Sequence, residues 1–529
     1  MRSSALRRNS VWTASPAILI TLICAGIPLL WMLWMLATHR DTWQEFLPSS
    51  FRVNLLVKTL LYNGGAGVLA TLMGLPAAFV IGRGRGMMSR LLLVLLPAAL
   101  LMPSLSYAYG WWELVRLIRP ITIRWGIGFF PQGPADISRC ILTLASWLWG
   151  VPALLIGLSL RRSDSSVQQQ ALLDGALCPI MLRQLLGPIC ASIAIVTILA
   201  TQDTSVYEPT GISVVATEIR MVFDTGTGSV TDNAPPDLSA RASAAIATAM
   251  PLMVITFLLA GAAVWCSQRS SGADAIATDN WPRVLDCSKG TVIFTTFLLI
   301  FNWLTPTVAL VVSMHHGISL VDAWSKFGSQ LQGTAFVAAE ATCLALAVAF
   351  FSAARWFPGL LVLSGTNFLL GGQLLAIALI RIYDRPAFSW VYDTSLVTVF
   401  AYLGRFGWVA LAGGRATWST PWIELREMAA TDGADGLETV ATVIWPLAWP
   451  ILLASGLLVG ILCTTEVPAT VLLMPQNPQV LTPTMMAWVH MARYDPMIQA
   501  CLLMSSVILV PAVVSVLLIS MGARVLKRK

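Results

Sequence analysis

Four acidic side chains, Asp203, Glu208, Glu340 and Glu466, stand in or beside long apolar stretches of a 529-residue chain. A carboxylate in hydrocarbon is costly, so such a group usually lines a cavity or meets a partner. The sign of these four would suit a cation on a solute path, to which Pro468, close to Glu466, is also assigned. The plainer alternative is that Glu208 and Glu466 sit at headgroup level, partnered and structural. Metal chemistry is not expected. His315 and His316 are adjacent but lack the further ligands a site needs, and the 9 cysteines are scattered with no CxxC pair. The 4 histidines fall in no motif, which argues against a membrane-embedded transferase with such groups gathered at one membrane face.

A second pattern is more specific because it occurs twice. Gln169-Gln170-Ala171-Leu172-Leu173-Asp174-Gly175-Ala176 is followed by Pro188, and Glu427-Met428-Ala429-Ala430-Thr431-Asp432-Gly433-Ala434 by Pro446. One offset relates Asp174 to Asp432 (432 − 174 = 258), and it also pairs Gly175 with Gly433, Pro188 with Pro446 and Glu208 with Glu466. Each copy reads as a short helix lying across the cytoplasmic face. Ser166 with Gln169 fits a capping box, and Thr420-Pro421 places a cap before a first-turn proline, with Glu424 near the positive helix end. Gly175 and Gly433 suit the left-handed residue that closes a helix. The prolines are expected at the start of the next membrane helix. The alternative is a pair of ordinary capped connectors.

The elements that must position these residues follow from composition. The chain is 57% hydrophobic and 11% charged, with a mean hydropathy of +0.75, so a charged shell cannot cover a soluble core of this size. The bilayer is expected to be the solvent for most of it. Apolar stretches of about 20 residues, long enough to span hydrocarbon, fall near 17–37, 57–81, 91–112, 139–160, 188–207, 242–265, 291–313, 334–354, 359–381, 394–413, 447–473 and 499–522. The expected fold is all-α: a polytopic membrane protein of about 12 transmembrane helices as two parallel six-helix repeats. The halves are 1–266 and 291–529, joined by a polar cytoplasmic linker over 267–290. The first span follows Arg2, Arg7 and Arg8 and reads as an uncleaved helix rather than a signal peptide. A modest excess of Lys and Arg on the inner side puts both termini in the cytoplasm, although Arg116, Arg119 and Arg124 run against the rule. The net charge of +7 reports orientation and not nucleic acid, since no basic run of that type occurs. The 21 tryptophans read as interfacial anchors.

The second copy of the repeated pattern, through Glu427, Ala429, Gly433, Val443 and Pro446, resembles the Glu-Ala-Ala signature of the membrane subunits of bacterial ABC importers. The stretch Glu466 to Leu473, with Pro475 and Pro478, further resembles permeases of the ferric-iron transport type, which fuse two such halves in one chain. The first copy departs from the signature at Gln169 and Gln170, and the second has Met428 and Trp445 in place of Ala and Leu.

The resemblance implies a transport subunit that is not itself an enzyme, in the cell inner (plasma) membrane. Two copies of an ATP-binding subunit would carry ATP and magnesium and dock the coupling helices near 166–175 and 420–433, with Gln169, Ala171, Asp174, Gly175 and Pro188 matched by Glu427, Ala429, Asp432, Gly433 and Pro446. An extracytoplasmic solute-binding protein would deliver the solute, ferric iron or another cation. No G-x-x-x-x-G-K-S/T phosphate loop occurs in the chain, in keeping with ATP hydrolysis on a partner. The competing class is a gradient-driven secondary transporter of two six-helix halves. Arg83-Gly84-Arg85-Gly86 is similar to the loop of the major facilitator group, but without its acidic residue and without a counterpart near Arg355.

Overall fold

A computed structural model describes residues 14–38, 49–84, 86–124, 132–162, 165–225, 238–270, 287–314, 320–418, 420–474 and 477–527. Among the described residues every regular element is a helix. His315, His316, Arg85, Pro475 and most of the 267–290 linker lie outside them, as do the side chains of Ser166, Thr420 and Pro421. Among the described residues nine helices are long and apolar enough to cross a membrane, or up to 12 if three bent pairs each count as one span. Leu61, Leu258 and Val510 are each 67% exposed in the middle of such helices, which suits a lipid surround.

In chain order the N-terminal part comprises α1 (Ser15–Thr38), α2 (Ser50–Arg83), the pair α3 (Met87–Leu100) and α4 (Ser104–Arg124), and the pair α5 (Gln132–Leu148) and α6 (Gly150–Arg162). It continues with a short α7 (Ser165–Leu173), then α8 (Leu177–Thr201), α9 (Val215–Thr225) and α10 (Leu238–Ser270). The C-terminal part comprises α11 (Lys289–Ser313), α12 (Leu320–Ala354), the pair α13 (Pro358–Leu370) and α14 (Gly372–Tyr383), and α15 (Leu396–Ala416). A short α16 (Thr420–Thr431) follows, then α17 (Gly436–Thr464), α18 (Pro468–Leu473), α19 (Leu481–His490) and α20 (Tyr494–Lys527).

Three stretches expected as single spans are broken. The α3–α4 pair bends by 92° at Leu101-Met102-Pro103, where the proline cannot continue the hydrogen-bond ladder. The α5–α6 pair bends by 42° at Trp149. The α13–α14 pair bends by 103° at Gly371, whose φ of +88° only glycine adopts readily. Between α8 and α10 lies α9, which buries Val215, Ile219, Val222 and Phe223.

Pro188 and Pro446 do not start their helices. Pro188 lies well inside α8, and Pro446 inside α17 directly after a π turn over Val440–Ile444. A widened turn lets the ring clear the preceding carbonyls, so the chain tolerates the proline instead of ending at it.

The first helix of each part packs against the other part. The α1 carbonyl of Ala25 accepts a 3.0 Å hydrogen bond from Asn367 of α13, and a Cβ on Gly404 of α15 would collide with the α1 carbonyl of Cys24. Reciprocally, Phe301 of α11 lies 5.1 Å, centroid to centroid, from Trp111 of α4, and a Cβ on Gly110 would come within 2.6 Å of Pro306. In lipid the association of helices rests on such close contact between small residues. The stripe Ala341, Ala345, Ala349 and Ala353 on α12, buried in one core cluster, serves the same purpose.

Candidate functional site

The two short helices expected from the repeat are present as α7 and α16, and they end identically. Gly175 (φ +67°) and Gly433 (φ +91°) adopt the left-handed conformation. The Ala176 N–H donates to the Ala171 carbonyl (2.8 Å) and the Gly175 N–H to the Leu172 carbonyl (3.2 Å). In the second copy Ala434 donates to Ala429 (3.1 Å) and Gly433 to Ala430 (3.2 Å). This is a Schellman closure in both copies. No atom lies within 4 Å of where either Cβ would be, so backbone angle alone demands glycine there.

Burial divides each elbow into an inner and an outer face. Ala171 and Ala429 are buried, whereas Asp174, Gly175, Glu427, Asp432 and Gly433 are exposed and Gln169 is half-buried. Leu173 is 87% exposed and Met428 is 64% exposed, apolar tips that the described residues leave uncovered. The inner faces dock on the ends of membrane helices. Gln168 accepts from Arg83 at the end of α2 (2.5 Å), and Arg426 donates to the Ala353 carbonyl at the end of α12 (2.8 Å). Arg426 also stacks over Trp418 at 4.1 Å, and burial lowers its pKa to about 10, still charged at neutral pH. The Arg83-Gly84 segment, read from sequence as a secondary-transporter likeness, thus anchors the first elbow through Arg83.

From each elbow one long helix runs to an acidic residue. Asp203 stands two residues beyond the end of α8, and Glu466 two beyond the end of α17. The helix ends are related by 464 − 201 = 263, not 258, so Asp203 is the positional counterpart of Glu466, and Glu208 is not. Each acid reaches a helix break. Asp203 accepts from the Ser205 N–H (2.8 Å) and hydroxyl (2.5 Å), and the Ser205 hydroxyl meets that of Ser104, first residue of α4, at 2.7 Å. Glu466 accepts from the Ala469 N–H (3.1 Å) and from Arg405, and Gly372, first residue of α14, lies against both charged groups. Asp203 and Glu466 lie within electrostatic reach of one another.

Gln202 joins the two parts at this level. Its Oε1 accepts from Arg405 (3.4 Å) and its Nε2 donates to the Leu369 carbonyl at the end of α13 (3.4 Å). A cleft lined by Gln202, Ile219, Met253 and Gly371 opens beside it. Arg405 and Gln202 were not singled out by sequence reasoning. Arg405 had an available signal, a lone cation inside the apolar stretch 394–413.

The remaining acids are partnered, and none joins this cluster. Glu208 pairs with Arg220 and lies 3.2 Å from His490, which favours the structural alternative for it. Glu340, midway along α12, accepts from the Ser395 hydroxyl at 2.6 Å. Pro468 is buried at the start of α18. Glu466 is itself neutralised by Arg405, so it offers no free negative charge to a cation. Among the described residues no three His, Cys, Asp or Glu side chains converge as metal ligands. No family model, curated protein or solved structure matches the chain.

Proposed function

We propose that this chain is the fused permease of an ABC importer of the ferric-iron transport type, built as two parallel six-helix halves with both termini cytoplasmic in the cell inner membrane. Two ATP-binding subunits, which carry ATP and magnesium, grip α7 and α16. An extracytoplasmic binding protein supplies a small solute, ferric iron or another cation on the resemblance, and the halves rock about the level of Gln202, Arg405 and Glu466.

One observation carries the reading: two elbows with the same closure each feed one long helix that ends at an acid beside a helix break. A rigid helix transmits displacement at one end to the other, which is what coupling ATP-driven closure to a central gate requires. Gln202, held by Arg405 and by the Leu369 carbonyl, has to release one part from the other when the halves separate.

The test is co-purification. The permease is expressed with candidate ATPase subunits and pulled down, alongside Gly175→Asp and Gly433→Asp. An ATPase that copurifies and is lost from Gly433→Asp supports the proposal, and the Gly175→Asp result reports whether the first elbow, with its Gln169 and Gln170, still docks. If no ATPase binds and a proton or sodium gradient alone drives uptake into vesicles, the elbows are structural and the chain is a secondary transporter.

A further inference from the structure

A second cleft lies at the far end of α8 from its elbow, about 37 Å away for 25 helical residues. Nothing in the coupling reading uses it. Its walls are Tyr109 and Trp112 of α4, Arg139 and Thr143 of α5, Thr210 beyond α8, and Tyr494 at the start of α20, so both parts of the chain contribute. Among the described residues no carboxylate lines it. The charged wall group is Arg139, whose side chain is only 12% exposed. Its guanidinium lies 4.1 Å from the centroid of the Trp112 ring, and Tyr494 stacks on Trp112 at 6.2 Å and 13°.

Arg139 is incompletely satisfied. Asp136 stands 3.2 Å from Nη2, but off the line a hydrogen bond needs, and that buried nitrogen makes no hydrogen bond. Asp136 offsets the charge, but a buried donor without a hydrogen bond is still unfavourable, and the guanidinium fork matches a planar carboxylate. Aromatic faces beside it would cover the apolar body of the molecule bearing that carboxylate.

We propose that this cleft binds a small organic anion, its carboxylate held by Arg139 and its body against Trp112 and Tyr494. The site does not depend on how the transporter is energised. Because Tyr494 comes from α20 and the other groups from the N-terminal part, a bound anion bridges the two parts near the Glu208–His490 contact.

The experiment is equilibrium binding of radiolabelled benzoate to the purified full chain in nanodiscs, with acetate and succinate as competitors and choline as the charge-reversed control. Saturable benzoate binding, displaced by carboxylates and not by choline, is expected. Arg139→Gln is expected to weaken it at least tenfold, and Arg139→Lys, which keeps the charge but loses the fork, by less. Should Arg139→Gln not fold, Tyr494→Ala leaves the guanidinium in place and is expected to weaken binding severalfold. The proposal is overturned if none of the three carboxylates binds saturably, if choline competes, or if binding is unchanged in whichever of these variants folds.

Discussion

Glu466 accepts from Arg405 and from the Ala469 amide in a setting where it is 4% exposed, so removing either charge strands the other without water. Glu466→Gln and Arg405→Met are each expected to lower stability by about 3–5 kcal/mol. The double change Glu466→Gln/Arg405→Met should cost less than the sum of the two, read by thermal unfolding of the purified protein. The glycines that close the elbows make a different prediction, because nothing crowds them and only φ is at stake. Gly175→Ala and Gly433→Ala should each cost about 1–2 kcal/mol of local stability. Hydrogen exchange at the Ala176 and Ala434 amides, which close the motif, should quicken in the alanine variants and less so in Gly→Asn. These glycines were legible in the sequence because a helix closure has a residue signature of its own. The Arg405–Glu466 pair was half legible: each member is conspicuous in an apolar run, but their meeting depends on how α15 and α18 pack.

At the scale of elements, apolar length located the membrane helices but not their breaks. Gly371 sits in a run that stays apolar on average despite Asn367 and Gln373, and a mean hydropathy does not register a change of φ at one residue. The uniform offset of 258 likewise misassigned the partner of Glu466. It holds through Pro188 and Pro446, then slips because α17 runs 464 − 446 = 18 residues past its proline against 201 − 188 = 13 for α8. The exchange of α1 and α11 could not be read from sequence either, since a small residue such as Gly404 or Gly110 announces close approach without naming the partner. Valine at each of these two positions should cost about 1–3 kcal/mol through overpacking. The two losses should add, because the contacts involve different helices; the check is again thermal unfolding, of the two single variants and the double.

At the scale of the whole molecule, exchanged first helices mean that neither part can satisfy its own packing. If the chain is cut between 271 and 286, the co-expressed pieces should copurify as one particle, while each piece expressed alone should fail to accumulate. Coupling of the proposed kind requires the two elbows to move relative to one another. Spin labels placed at Leu173 and Met428, both outward-facing, in a background freed of native cysteines, would report the distance between α7 and α16 by electron-electron resonance. With the ATPase bound, adding ATP should shift the distance distribution toward shorter separations, and hydrolysis should restore it. A distribution that ignores ATP while the ATPase remains bound would contradict the coupling account.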